Sequence, residues 1–86
     1  MTFYTYMMRT HKDQMTNEGD LARDMIRDKE RFPRNRACKF DAWHRIILNH
    51  LHSYGACEEC IEAFENCWKE YVACEKSRLR RNSPRL

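Results

Sequence analysis

Cys57, Cys60, Cys67 and Cys74 are the residues of this chain with the most obvious chemical potential, because a Cys-x-x-Cys pair followed by further thiols suggests a zinc or dithiol centre. Helical geometry argues against that chemistry. Cys60, Cys67 and Cys74 are seven residues apart, which on a helix places each about 10.5 Å from the next, whereas a disulfide needs Cα atoms within about 7 Å and zinc gathers its ligands around one centre. Only Cys57 and Cys60 stand close enough to act together. Cys38 and the scattered His44, His50 and His52 do not supply the second ligand pair that a zinc signature requires. Read for periodicity, Cys57, Ile61, Phe64, Trp68, Tyr71 and Val72 form one apolar stripe, with Cys60, Cys67 and Cys74 along its flank. The thiols are therefore expected to be small core fillers, since buried free cysteine behaves as a small hydrophobe, and neither a metal nor a cofactor is expected.

Catalysis needs a nucleophile or base held by a second group, and the chain contains no local Ser/His/Asp, HExxH or glycine-rich phosphate motif. His44 and His50 fall at opposite edges of an apolar helix face, where packing on the ring is the expected role, while His11 and His52 are expected in solvent. Glu58 and Glu59 are adjacent, so a helix turns them about 100° apart and they cannot serve as one acid/base pair. Eighty-six residues make one domain with a single modest core and no room for a deep cleft. The expectation is a binding protein with neither enzyme activity nor a small-molecule substrate.

The elements that position these side chains follow from the apolar spacing, which recurs every three or four residues with only two glycines and two prolines to interrupt it. A first helix is expected from Phe3 to about Arg9 and a second from a cap at Asn17 to about Arg31, facing Leu21, Ala22, Met25 and Ile26 inward. Asp20 and Arg23, Asp24 and Arg27, and Asp28 and Arg31 are each three apart and should pair on the solvated face. Pro33 ends this helix, Phe32 tucks into the core and 34–37 form a connector. A third helix should span roughly Cys38 to Ser53 and end in a left-handed residue at Gly55. The fourth follows at once, with Glu58, Glu59 and Glu62 favouring its positive end, and should run to about Ser77. The organisation expected is a helical domain over 1–79 and a disordered basic tail over 80–86.

The order Phe3-Tyr4, a helix around Ala22, Phe32-Pro33, an aromatic-led helix from Phe40 and finally Phe64-x-x-x-Trp68-x-x-Tyr71 resembles the small bacterial YozE family over about residues 2–72. The resemblance implies an all-α fold, a compact sterile-alpha-motif-like (SAM-like) bundle of four to five short helices. It also implies a bacterial or mobile-element setting and no established reaction. In that family a small apolar residue such as alanine commonly stands where this chain has Cys67, which agrees with a packing role for the thiol. Trp43, where an aliphatic residue is more usual, and the basic tail are departures. The core is expected to comprise Phe3, Leu21, Met25, Phe32, Phe40, Trp43, Ile47, Leu51, Ile61, Phe64, Trp68 and Tyr71.

Charge decides between partners. From Lys76 onward the chain carries five bases and no acid, while residues 1–75 hold eleven bases against thirteen acids, so the net charge of +3 belongs to the tail. Domains that grip a phosphate backbone normally carry the basic face themselves. The expected function is protein–protein interaction, with self-association one form of it, through an acidic patch near Glu58–Glu65 and a basic one near Arg31–Lys39. The alternative is nucleic-acid binding, DNA foremost, through Arg31, Arg34, Arg36 and Lys39 together with Arg78, Arg80 and Arg81 of the tail. Nothing at the amino terminus resembles a signal peptide, the cysteine count is odd and no apolar run approaches the roughly 20 residues of a membrane span, so a reduced, cytoplasmic setting without membrane contact is expected.

Overall fold

Thr2 opens the first helix by accepting the Thr5 N–H on its hydroxyl at 3.1 Å, and Thr16 opens the second by accepting the Gly19 N–H at the same distance. In the computed structural model, which describes residues 1–36 and 38–82 with side chains as far as Leu79, the helices are α1 Phe3–Thr10, α2 Asn17–Arg27, α3 Phe40–Ser53 and α4 Glu58–Asn82. The cap of α2 is Thr16 rather than Asn17, because the threonine has the extended backbone that brings its oxygen under the first turn.

Helices α2, α3 and α4 each end or begin differently from the sequence reading. Four residues earlier than expected, α2 stops: the Asp28 N–H is shared between the Asp24 and Met25 carbonyls at 3.2 Å each. The Asp28 carbonyl then receives the Arg31 and Phe32 N–H groups at 3.0 and 2.9 Å, a turn that swings Phe32 into the core. The start of α3 is Phe40 rather than Cys38, since Lys39 holds φ 50° and ψ 49°, in the left-handed region. At its other end Gly55 adopts φ 72°; its N–H reaches the His52 carbonyl at 3.0 Å and the Ala56 N–H reaches that of Leu51 at 3.1 Å, the paired bonds of a Schellman closure.

By far the longest helix, α4 spans roughly 37 Å at 1.5 Å per residue, and the others pack along it, α2 most extensively. It continues through Asn82, five residues past Ser77, so Arg80 and Arg81 lie on helical backbone, while 83–86 fall outside the described residues. Phe3 is the hub of the core: its ring lies 5.5 Å from Phe64, 5.2 Å from Trp68 and 5.6 Å from Tyr71. Phe3, Leu21, Met25, Phe32, Ile47, Leu51, Phe64, Trp68 and Tyr71 are buried as expected. Phe40, Trp43 and Ile61 are half-buried against that core, and Cys57 is exposed. The buried face of α4 is rotated toward what the sequence reading took for its flank, placing Ala63 and Cys67 in the interior. The helix meets α1 and α2 on that side, and small residues there let them approach.

Candidate functional site

Asn35, buried in the connector between α2 and α3, fixes the surface that carries the basic residues. Its side-chain oxygen accepts the Phe3 N–H at 2.7 Å, and its amide donates to the Tyr71 hydroxyl at 2.7 Å and the Arg36 carbonyl at 3.0 Å. The Tyr71 hydroxyl donates onward to the Met1 carbonyl at 2.7 Å, and burial holds that phenol above its usual range. One polar network thus ties α1, the connector and α4 together. Periodicity gives no sign of it, because a single polar residue in a connector breaks no pattern.

The basic cluster divides on this scaffold. The Tyr54 side chain beside the Arg31 guanidinium raises its already high pKa. Asp28, the residue expected to pair with Arg31, meets His50 Nε2 at 2.6 Å. Arg34 lies 3.5 Å over the Tyr4 ring and donates to the Lys29 carbonyl at 2.8 Å. Arg78 reaches Glu75 at 3.4 Å, and that carboxylate is buried against the N-terminal ammonium at 3.2 Å. Arg36 and Lys39 are exposed and make no ion pair among the described residues. Both are held against α4 at Tyr71, Arg36 through Asn35 and Lys39 through Phe40, whose ring lies 6.1 Å from that of Tyr71. Beside them a cleft of about 560 Å³ opens between Phe40, Asp41, Trp68, Lys69, Val72 and Lys76. The side chains of Arg80 and Arg81 lie outside the described residues.

At the other end of α4, Glu58, Glu59 and Glu62 are exposed and also form no ion pair among the described residues, while Glu65 bonds His44 Nε2. The expected pairs of α2 form at Asp20–Arg23, 2.5 Å, and Asp24–Arg27, 3.1 Å. A groove of about 940 Å³ runs between the C-terminal ends of α2 and α3 and the start of α4, floored by Met25, Phe32 and Leu51 and edged by Tyr54, Cys57 and Cys60. All five cysteines are free. Cys57 and Cys60 share the groove without equal environments: burial, with Cys57 and Asp24 nearby, raises the Cys60 thiol.

His11 departs most from expectation. It is buried, 6% exposed, where the sequence reading placed it in solvent. It caps the end of α1 and lies 6.0 Å from the Tyr6 ring, so the chain leaving α1 folds its imidazole inward. Nδ1 meets Gln14 Oε1 at 2.7 Å, and Nε2 faces α4, 3.4 Å from a Glu70 oxygen but with no hydrogen-bond partner among the described residues. Cys67 Sγ belongs to the same cluster, in which Nε2, Sγ and a Glu70 oxygen all lie within 4.8 Å of one another. Burial, reinforced by Glu70 and Glu18, pushes the Cys67 thiol up to about 12; burial with Glu70 and Cys67 also pushes the Tyr6 phenol up to about 12.

The family model described as YozE SAM-like fold matches residues 2–73, the span from the cap of α1 to the middle of α4. The chain belongs to this family. No curated protein and no solved structure matches it. The four-helix, all-α bundle is thus the YozE SAM-like fold, and the family span contains Asn35, Tyr71 and the His11–Cys67–Glu70 cluster, while α4 continues beyond it. Among the described residues, no helix is long and apolar enough to cross a membrane.

Proposed function

We propose that this YozE-family chain is a non-enzymatic interaction module that associates head to tail with copies of itself, through the exposed carboxylates that open α4 and the Arg36–Lys39 surface on the connector. The observation that carries the reading is the separation of two exposed surfaces of opposite sign that form no ion pair among the described residues: Glu58, Glu59 and Glu62 lie roughly 14–20 Å along α4 from Tyr71, where Arg36 and Lys39 are anchored. Two complementary surfaces on different parts of one chain make a heterologous contact, which propagates instead of closing into a two-fold dimer. Exposed charge of this kind steers association and fixes register more than it adds affinity, so the contact should be weak and salt-sensitive.

Nucleic acid is the competing partner, and it is supported by the same Arg36 and Lys39 and by the bases of the tail. Against it, Arg34 and Arg78 are engaged internally by Tyr4 and Glu75, and residues 1–75 carry eleven bases against thirteen acids. Sedimentation velocity across a protein dilution series, at low and at physiological ionic strength, tests the proposal. The expected result is concentration-dependent growth beyond a dimer at low salt that fades as salt rises. A strict monomer at low salt, combined with steeply salt-dependent binding to duplex DNA or RNA, would transfer the function to the nucleic-acid reading.

A further inference from the structure

We infer that His11 Nε2, Cys67 Sγ and the Glu70 carboxylate form a zinc site that staples the end of α1 to the middle of α4. Three features converge on that chemistry. The three donor atoms already lie within 4.8 Å of one another, although they come from residues 56 and 59 positions apart in the chain, His11 to Cys67 and His11 to Glu70. Zinc bonds of about 2.0–2.3 Å in tetrahedral geometry put ligand atoms roughly 3.6 Å apart, and the Nε2–Glu70 separation is 3.4 Å. Cys67 and Glu70, one turn apart on α4, present their side chains to the same side.

The histidine supplies the second line of support. With Gln14 Oε1 accepting from Nδ1–H at 2.7 Å, Nε2 is left with a lone pair directed at the cluster, buried and without a hydrogen-bond partner among the described residues. A buried acceptor in that state is destabilising, and a cation would relieve it. Such an outer hydrogen bond to the second ring nitrogen is also the arrangement that orients metal-bound imidazoles. Thiolate, imidazole and carboxylate together suit zinc better than magnesium or calcium. On binding, the Cys67 thiol proton passes to solvent and the sulfur donates its freed pair to the metal. Glu70 is half-exposed, so the ion has a route in from solvent, and the fourth position remains for water. This site shares no residue with the charged surfaces proposed for association.

The test uses full-length protein stripped with chelator and titrated with Co²⁺ and Zn²⁺. One equivalent of Co²⁺ should give visible bands of tetrahedral cobalt with a sulfur-to-metal charge-transfer band, and Zn²⁺ should bleach both. Cys67→Ser should abolish the charge-transfer band, and Glu70→Gln, at an exposed position that leaves the fold intact, should weaken binding at least tenfold. Gln14→Ala should weaken it about tenfold through loss of the imidazole's anchor. Cys57→Ser with Cys60→Ser should change nothing. Absence of stoichiometric cobalt uptake by folded wild-type protein would overturn the site. So would uptake that survives Cys67→Ser and Glu70→Gln or disappears with the Cys57 and Cys60 substitutions.

Discussion

At Tyr71 a single hydroxyl accepts from Asn35 and donates to the Met1 carbonyl, so one side chain closes the network that joins connector, N-terminus and α4. Tyr71→Phe should cost about 1–3 kcal/mol, because it strands the buried Asn35 amide as well as losing its own bond. Asn35→Ala should cost a similar amount, and the double variant less than the two combined, which urea titration of the four proteins would show. Additive losses would mean that the residues do not act as one unit. The thiols also differ residue by residue: Cys38 and Cys57 are exposed, Cys60 is half-buried with its pKa raised by burial and Cys67 is buried. In chelator at neutral pH, alkylation followed by mass spectrometry should modify Cys38 and Cys57 first and Cys67 only on unfolding. Cys60 should gain reactivity only as pH rises beyond the ordinary thiol range, since the thiolate is the nucleophile. The aromatic register Phe64, Trp68 and Tyr71 was legible because it repeats with the helix. Asn35, Glu75 and His11 were not, because each is buried by long-range packing that leaves no local trace.

Among the elements, α4 is the support on which the others are arranged, and Trp68 is its main anchor, packed against Phe3, Phe64, His44 and Tyr71. Trp68→Ala should cost about 3–5 kcal/mol, a large share of the stability of so small a domain, and thermal denaturation would register it. Gly19 gives a sharper test of the α1–α2 corner. A Cβ there would lie 1.9 Å from the Gln14 carbonyl oxygen, so Gly19→Ala should destabilise even though alanine is the better helix former. An unchanged or raised midpoint would show that the loop does not press on α2. Helix number and order were legible, and so was the stop at Gly55, because a left-handed residue there needs glycine. The ends of α2 and α4 were not. The charged run from Asp24 to Arg31 suits a helix or a turn equally well, and the turn is selected by the burial of Phe32, while no glycine or proline marks an end to α4 before Pro84.

For the whole molecule, the fold places an acidic surface at the start of α4 and a basic one on the connector held against the same helix at Tyr71, and the proposed role depends on both being used at once. Converting Glu58, Glu59 and Glu62 to Lys leaves the connector surface intact, while Arg36→Glu with Lys39→Glu leaves the acidic surface intact. All five side chains are exposed, so neither variant should disturb the core. Sedimentation velocity of the two variants, separately and mixed at low salt, addresses the proposed contact directly. Each alone should be monomeric, carrying surfaces of one sign only, and the mixture should assemble, because every head-to-tail contact between the two variants pairs opposite charges. Variants that still self-associate as the wild type does, or a mixture that remains monomeric while the wild type assembles, would contradict head-to-tail pairing through these surfaces.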